Sequence, residues 1–159
     1  MDEKLWQFVD AMGEWWAKSY GIPRMTGRVL GWLLVCDPAE QTAAQLAEEL
    51  GASKGSISGA TGMLVRAGLV DRLHVRGERA DRFRIRPEAW DEQIRDQGAS
   101  QARSLVAMGL EALDGEPAAR RARLEELDVF YTWWLSRMPA LAEEWQEYKR
   151  RALRGRRNG

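Results

Sequence analysis

The stretch from Thr42 to Gly68 constrains the fold more than any other part of the chain, because it carries the start and stop signals of two successive short helices. Thr42 and Gln45 have the spacing of a capping box, and Gly51 stands where helices commonly end in a left-handed conformation. Ser53 can cap a second helix, which Gly68 closes. The pattern predicts a helix, a tight turn and a second helix.

The second of these helices has an unusual outer face. Its inward face is marked by Ile57, Ala60, Thr61, Leu64 and Val65, and its opposite face carries Lys54, Gly55, Ser56, Ser58, Gly59, Gly62 and Arg66. Each internal glycine costs roughly 1 kcal/mol of helix stability relative to alanine, but it also lets another surface come close. DNA is the partner that this pattern favours, and tight packing inside the protein is the alternative.

Two short runs after the second helix alternate between apolar and basic residues, which is the period of a strand with one buried face. They are VDRLHVR at 70–76 and RFRIR at 82–86, and GERAD between them contains a turn glycine. Residues 53–86 hold eight basic and three acidic residues, a net charge of +5, whereas the whole chain balances 24 against 24. Such a hairpin can bind a phosphate backbone, or it can be a solvated edge that discourages aggregation.

A helix-turn-helix followed by a basic hairpin places one helix in the DNA major groove and a wing against neighbouring phosphates. We therefore assign groove contacts to Ser53, Lys54, Ser56, Ser58 and Arg66. Contacts to phosphate, with a reach towards the minor groove, are assigned to Arg76, Arg79, Arg82 and Arg84. Only Lys54 and Arg66 in the first set are long enough for bidentate base reading, so DNA shape should contribute to specificity.

These features give the chain a resemblance to the MarR-type winged-helix transcriptional regulators, and most to their GbsR-like branch. The resemblance rests on GIPRMTGRVLGWLL at 21–34, on TAAQLAEELGASKGSISGATGMLVRAGLV at 42–70 and on the basic hairpin to Arg86. It implies a cytoplasmic homodimer that binds DNA through the helix at 53–67 and phosphate through the wing. It also implies a repressor that a small molecule releases, as in many members.

The remaining sequence reads as helical arms around this module. We expect one amphipathic helix over residues 2–20 and a buried one from Pro23 to about Cys36, with Gly27 and Gly31 allowing close packing. A helix from Pro87 to about Leu113 should follow, and then one from about Pro117 that Pro139 kinks or ends. The predicted fold class is mainly α with a small β-hairpin wing (α+β), in a single domain over 1–159. Its parts are a winged helix-turn-helix module at 21–87, dimerisation or effector arms at 1–20 and 88–153, and a basic tail at 154–159.

The segments before residue 42 and after residue 86 hold all eight tryptophans and all three tyrosines, and residues 42–86 hold none. Aromatic stripes at helical spacing are commonly core or dimer interface, which is the simpler interpretation. The sharper hypothesis is an effector pocket for a small aromatic or quaternary ammonium compound. Its candidate lining residues are Trp16, Tyr20, Trp32, Trp90, Tyr131 and Trp134.

The sequence offers little support for catalysis or a cofactor. Cys36 and His74 are the only residues of their types, which leaves a zinc site without its usual ligands, and phosphate-binding glycine motifs are missing. We interpret Cys36 as a buried small hydrophobe, with a redox sensor as the alternative. The acidic start of the chain and its lack of a long apolar run predict a cytoplasmic protein without a membrane segment. A winged-helix protein-interaction module without DNA binding and a protein that only binds a ligand remain the rival hypotheses.

Overall fold

Helices build most of the molecule, and a small antiparallel sheet completes it. The computed structural model describes residues 3–96 and 98–157, in two units of which the first ends at Ala89 and the second begins at Trp90. The first unit contains α1 (Glu3–Tyr20), α2 (Arg24–Leu33), β1 (Gln41–Thr42), α3 (Ala43–Leu50), α4 (Lys54–Arg66), β2 (Val70–Leu73) and β3 (Arg82–Ile85). The short α5 (Ala89–Glu92) crosses the boundary, and the second unit continues with α6 (Ala99–Ala112) and α7 (Ala118–Arg157). The predicted fold class, mainly α with a small β wing, is confirmed.

Close packing of α1 against α2 depends on glycine, as predicted. A Cβ atom on Gly27 would lie 2.6 Å from the carbonyl oxygen of Met12, and one on Gly31 would lie 3.1 Å from the Met12 Cβ. Trp32 of α2 stacks on Trp6 of α1, with ring centroids 5.2 Å apart and planes 6° from parallel. Seven of the ten residues of α2 are buried, so this helix is the central support of the first unit.

The sheet is three-stranded in the order β1-β3-β2, with all pairs antiparallel. The two-residue strand β1 is absent from our sequence-based prediction because its second residue, Thr42, is also the cap of α3. The hairpin strands are shorter than the alternating pattern suggested. Leu73 pairs with Arg82, so residues 74–81 form a loop, and Gly77 turns it with a φ of +90°.

The second unit corrects two of the predicted helices. The prediction of a single helix from Pro87 to Leu113 is wrong, because one helix ends at Glu92 and the next begins at Ala99. The carboxylate of Asp96 accepts a hydrogen bond from the Ser100 amide at 2.7 Å, and Gly98 has a φ of +86°, so the run contains its own helix-start signal. A helix end at Pro139 is also wrong: α7 runs for 40 residues through it, and the tail is helical as far as Arg157.

A partly buried ion pair joins α5 to the C-terminal half of α7. The Asp91 carboxylate accepts hydrogen bonds from the Trp145 indole at 2.7 Å and from Lys149 Nζ at 2.8 and 2.9 Å. Its side chain is 11 % exposed. Hydrogen bonds from Lys149, Gln146 and Trp145 hold the pKa of Asp91 at about 2, below its usual value of 3.8. This lowered pKa makes the charged form of Asp91 part of the stability of the fold.

Replacement of Asp91 by asparagine should therefore cost roughly 1–3 kcal/mol of unfolding free energy at pH 7. The depressed pKa means that the native protein holds this stabilisation above about pH 4 and loses it as the pH falls towards 2. Urea unfolding of both proteins between pH 7 and pH 2 measures the difference, which should shrink on acidification. Asp128→Asn, which loses only an exposed pair with Arg103 at 3.4 Å, is the matched control. Equal losses in the two variants would contradict a special role for Asp91.

Candidate nucleic-acid interface

Local side-chain signals set the geometry of the helix-turn-helix. Thr42 Oγ1 accepts a hydrogen bond from the backbone N–H of Gln45 at 3.2 Å. The side-chain Oε1 of Gln45 accepts one from the backbone N–H of Thr42 at 2.8 Å. Gly51 takes a φ of +60° at the end of α3, and Ser53 Oγ accepts from the Ser56 amide at 3.1 Å to begin α4. The capping box, the turn glycine and the second cap are all confirmed.

The inner face of α4 is buried in the core of the first unit. Ile57, Ala60, Thr61 and Leu64 are buried there, and Val65 is half-buried. Thr61 is the polar member, and its hydroxyl donates to the Ile57 carbonyl at 2.8 Å, so its burial leaves no hydrogen bond unmade. Because this face holds α4 to the core, the opposite face is the one that it presents outwards.

The outer face of α4 is exposed and carries mostly small side chains. Ser53, Lys54, Ser56, Ser58 and Arg66 are exposed, as are Gly55 and Gly59. Apart from the adjoining residues and the nearby backbone of α4 itself, no atom of the described residues lies within 4 Å of a Cβ built on Gly55 or Gly59, so packing against the rest of this chain does not explain these two glycines. Gly62 differs, because a Cβ there would lie 3.3 Å from Nη1 of Arg66. The surface is thus nearly bare backbone with a cation towards each end.

The arginines on the strands of the wing are held in ion pairs. Arg82 donates two hydrogen bonds of 2.8 Å to Glu78, which lowers the pKa of that carboxyl. Arg84 lies 3.4 Å from Glu40 and 3.9 Å from Asp71. These carboxylates already neutralise two of the four arginines that the sequence assigned to phosphate.

Arg76 and Arg79 are different from the strand arginines. Both are exposed in the loop at 74–81, and neither forms an ion pair with any residue in the described ranges. Lys54 and Arg66 of α4 are likewise without a carboxylate partner among those residues. Four cations are therefore available to a phosphate backbone without the loss of an internal ion pair.

The acidic partners of the wing are the residues that sequence reasoning missed. Asp81 accepts from Arg72 Nε at 2.8 Å, and its Oδ1 lies 3.1 Å from Nδ1 of His74; the hydrogen bond with His74 contributes most to lowering the pKa of Asp81. The hairpin sequence contained a signal, because Glu78 stands four residues before Arg82 and Asp71 lies opposite Arg84 in the ladder. Glu40 had no such signal, since strand β1 brings it to the hairpin.

The aromatic residues of the predicted effector pocket fall into two groups. Trp16, Tyr20 and Trp32 belong to the first unit, where the rings of Trp16 and Tyr20 are 5.3 Å apart. Trp90, Tyr131 and Trp134 belong to the second. There Tyr131 and Trp134 line a cavity of about 340 Å³ together with Phe130. Cys36 is half-buried, and this burial raises the pKa of its thiol.

Within residues 3–96 and 98–157, no cluster of three or more His, Cys, Asp or Glu side chains is placed to hold a metal ion. None of the helices in those same ranges combines the length and the apolar character needed to cross a membrane.

Comparison with known proteins agrees with this geometry. Residues 20–81 match the model of the MarR family, and residues 88–148 match that of the MmpR5-like MarR family transcriptional regulators. The chain is 42 % identical over 123 residues to the HTH-type transcriptional regulator MmpR5 of Mycobacterium tuberculosis, covering 76 % of this chain and 74 % of that protein. It also resembles a crystal structure of a transcriptional regulator, with a TM-score of 0.81, 34 % identity, and coverage of 91 % of this chain and 99 % of that one.

These matches show the family of the chain. The GbsR-like branch is not confirmed by them and stays a prediction. The sequence identity to MmpR5 is 42 % over about three quarters of each chain. The fold is shared with the crystal structure over 91 % of this chain. The chain therefore belongs to the MarR family of transcriptional regulators, which are DNA-binding proteins and not enzymes.

Proposed function

We propose that the protein is a cytoplasmic repressor that binds a partly palindromic DNA site as a homodimer and is released by a small molecule. The observation that carries this proposal is the open outer face of α4, whose Gly55 and Gly59 have free space beside them. A glycine inside a helix lowers the stability of that helix, and packing within the chain does not explain its presence here. Close approach of a binding partner to the backbone does explain it.

In this proposal α4 enters the major groove with its backbone unusually close to the bases. Ser53, Lys54, Ser56, Ser58 and Arg66 are the side chains that would contact bases and groove-edge phosphates. Short serine side chains reach a base only if the helix lies deep, which is what Gly55 and Gly59 permit. Bidentate reading is limited to Lys54 and Arg66, so DNA shape should supply part of the specificity.

The wing is proposed to bind phosphate mainly through the loop. Arg76 and Arg79 can contact DNA without losing an internal partner. Arg82 and Arg84 must exchange Glu78, Glu40 or Asp71 for a phosphate oxygen, so the lost ion pair offsets much of the contact that they gain.

Exposed apolar side chains on α6 and α7 support the homodimer. Met108 is 65 % exposed, Val129 68 % and Trp133 56 %, and Leu105 is similarly open. Apolar residues of this size in such number mark an association surface in soluble proteins. A second copy is the occupant that suits a regulator of palindromic DNA, because a two-fold axis presents two copies of α4 to two half-sites.

One cavity of the second unit, with a volume of about 340 Å³, is our proposed effector site. Phe130, Tyr131 and Trp134 supply aromatic faces, and Arg95 and Asp96 supply charge at its edge. The combination suits a flat aromatic compound or a quaternary ammonium, as the sequence suggested. Trp16, Tyr20, Trp32 and Trp90 are not among its lining residues.

Selection from a genomic DNA library tests the proposal directly. The purified chain is mixed with short genomic duplexes at two salt concentrations, and the bound DNA is sequenced. Enrichment of an inverted repeat, with steep salt dependence, is the expected result. Failure to bind any duplex at low salt would overturn it and favour a winged helix that contacts proteins.

Arg79→Ala should weaken binding to all duplexes alike and reduce the slope of log K against log salt by about one unit. Arg82→Ala is the matched control, because its guanidinium is already paired with Glu78. Its change in slope should be clearly smaller. Titrations by fluorescence anisotropy at four salt concentrations measure both. Equal changes in the two variants would show that the internal pair does not restrain Arg82.

Gly59→Ala should separate stability from DNA binding. A methyl group there meets open space, so the free protein should gain up to about 1 kcal/mol of stability from better helix propensity. Affinity for the selected duplex should nevertheless fall about tenfold, which is the scale of one lost base contact. Gly155→Ala, also in a helix and in open space, is the control that should leave DNA affinity unchanged. Thermal unfolding and anisotropy give the two readouts, and an unaltered affinity in Gly59→Ala would exclude close approach at that residue.

A further inference from the structure

The side chain of Arg28 connects three helices of the first unit at one point. Its Nε donates to Asp10 Oδ1 of α1 at 2.8 Å, and its Nη1 donates to the carbonyl oxygen of Leu50 at 3.1 Å. Leu50 is the last residue of α3, and the turn into α4 follows at once. The side chain of Arg28 is only 15 % exposed and that of Asp10 is 47 % exposed, so both hydrogen bonds are partly buried.

The contact with Leu50 gives the last carbonyl group of α3 a hydrogen-bond donor. The last four carbonyl groups of a helix have no partner within the helix, and the helix dipole favours a positive charge beside them. The amides of Gly51 and Ala52 bond to Glu48 and Ala47 at 3.3 and 2.9 Å. Arg28 supplies a donor, and a positive charge, to the final carbonyl of the helix.

The sequence also makes space for this arginine. A Cβ atom on Gly13 of α1 would lie 2.7 Å from Cγ of Arg28, so a larger residue at that position would push the side chain away. The fork of a guanidinium can address two acceptors that lie in different directions, whereas a lysine has a single nitrogen on a flexible stem. The two hydrogen bonds of Arg28 therefore require an arginine, whereas an exposed ion pair can be formed by lysine as well.

We propose that Arg28 is a positioning residue for DNA reading, which fixes the turn between α3 and α4 against α1 and so sets the angle of the recognition helix. The inference rests on the proposed role of α4. Arg28 contacts α1 and α3 and is not among the residues assigned to DNA, so it acts only through the placement of α4. Base contacts depend on that placement more than phosphate contacts do.

Two arginines on the same helix provide a matched test. Arg28→Lys keeps the charge and removes the fork, and Arg24→Lys makes the same change where the pairs, with Asp10 at 3.4 Å and Glu14 at 2.6 Å, do not involve α3. Circular dichroism first establishes that each variant is folded. The affinity of each protein is then measured at one salt concentration, both for the duplex selected by the native protein and for an unrelated duplex. Arg28→Lys should lower the ratio of the two affinities about tenfold and leave the unrelated duplex within about twofold. Arg24→Lys should change neither.

Amide hydrogen exchange of Gly51 and Ala52 gives a second readout that needs no DNA. It should be faster in Arg28→Lys and unaltered in Arg24→Lys. An unchanged affinity ratio in a folded Arg28→Lys protein, with native exchange at the turn, would overturn the inference. If Arg28→Lys does not fold, Asp10→Ala releases the same guanidinium from α1, and a native ratio there would overturn it equally. Should the native protein bind no duplex, the proposed function fails, and the exchange rates still decide whether Arg28 fixes the turn.

Discussion

Burial of one face of α4 is the constraint on which the rest of the structure depends. Ile57 and Leu64 are fully buried, in the same apolar cluster as Leu30 of α2 and Leu46 of α3. Removal of such side chains from water supplies most of the free energy that holds short helices, since helices of this length are marginal by themselves. Because the inner face is committed to this cluster, the outer face can be shaped for binding, and the consequence for stability is limited to the lower helix propensity of its residues.

The sequence predicted those features whose causes lie within a few residues. The capping box at Thr42 and Gln45 and the cap at Ser53 each span three residues, so spacing alone reveals them. The close approach of Gly27 to α1 was predictable because glycine has few other uses in a buried helix. The break before α6 had a local signal too, because Asp96 stands four residues before Ser100, whose amide its carboxylate binds.

Long-range pairing accounts for most of what the sequence could not reveal. Asp91 and Lys149 are 58 residues apart, and Glu40 reaches Arg84 over 44 residues. Periodicity carries no information about such partners, because it describes one element at a time. The continuation of α7 through Pro139 has a different origin: a proline removes one donor from a helix, and in a 40-residue helix the remaining hydrogen bonds outweigh that loss. For the candidate interface, the sequence therefore predicted α4 and the wing. It did not predict the carboxylates that pair with Arg82 and Arg84, two of the four wing arginines assigned to phosphate.

The internal pairs of the wing have a consequence for how such a protein finds its site. A genome offers millions of unrelated duplexes for each operator, and every unpaired cation prolongs residence on all of them. If the wing binds phosphate as proposed, the pairing of Arg82 with Glu78 and of Arg84 with Glu40 and Asp71 would limit this indiscriminate attraction. The acidic residues of the wing would then shorten each stop on the wrong DNA and leave more of the population free to search.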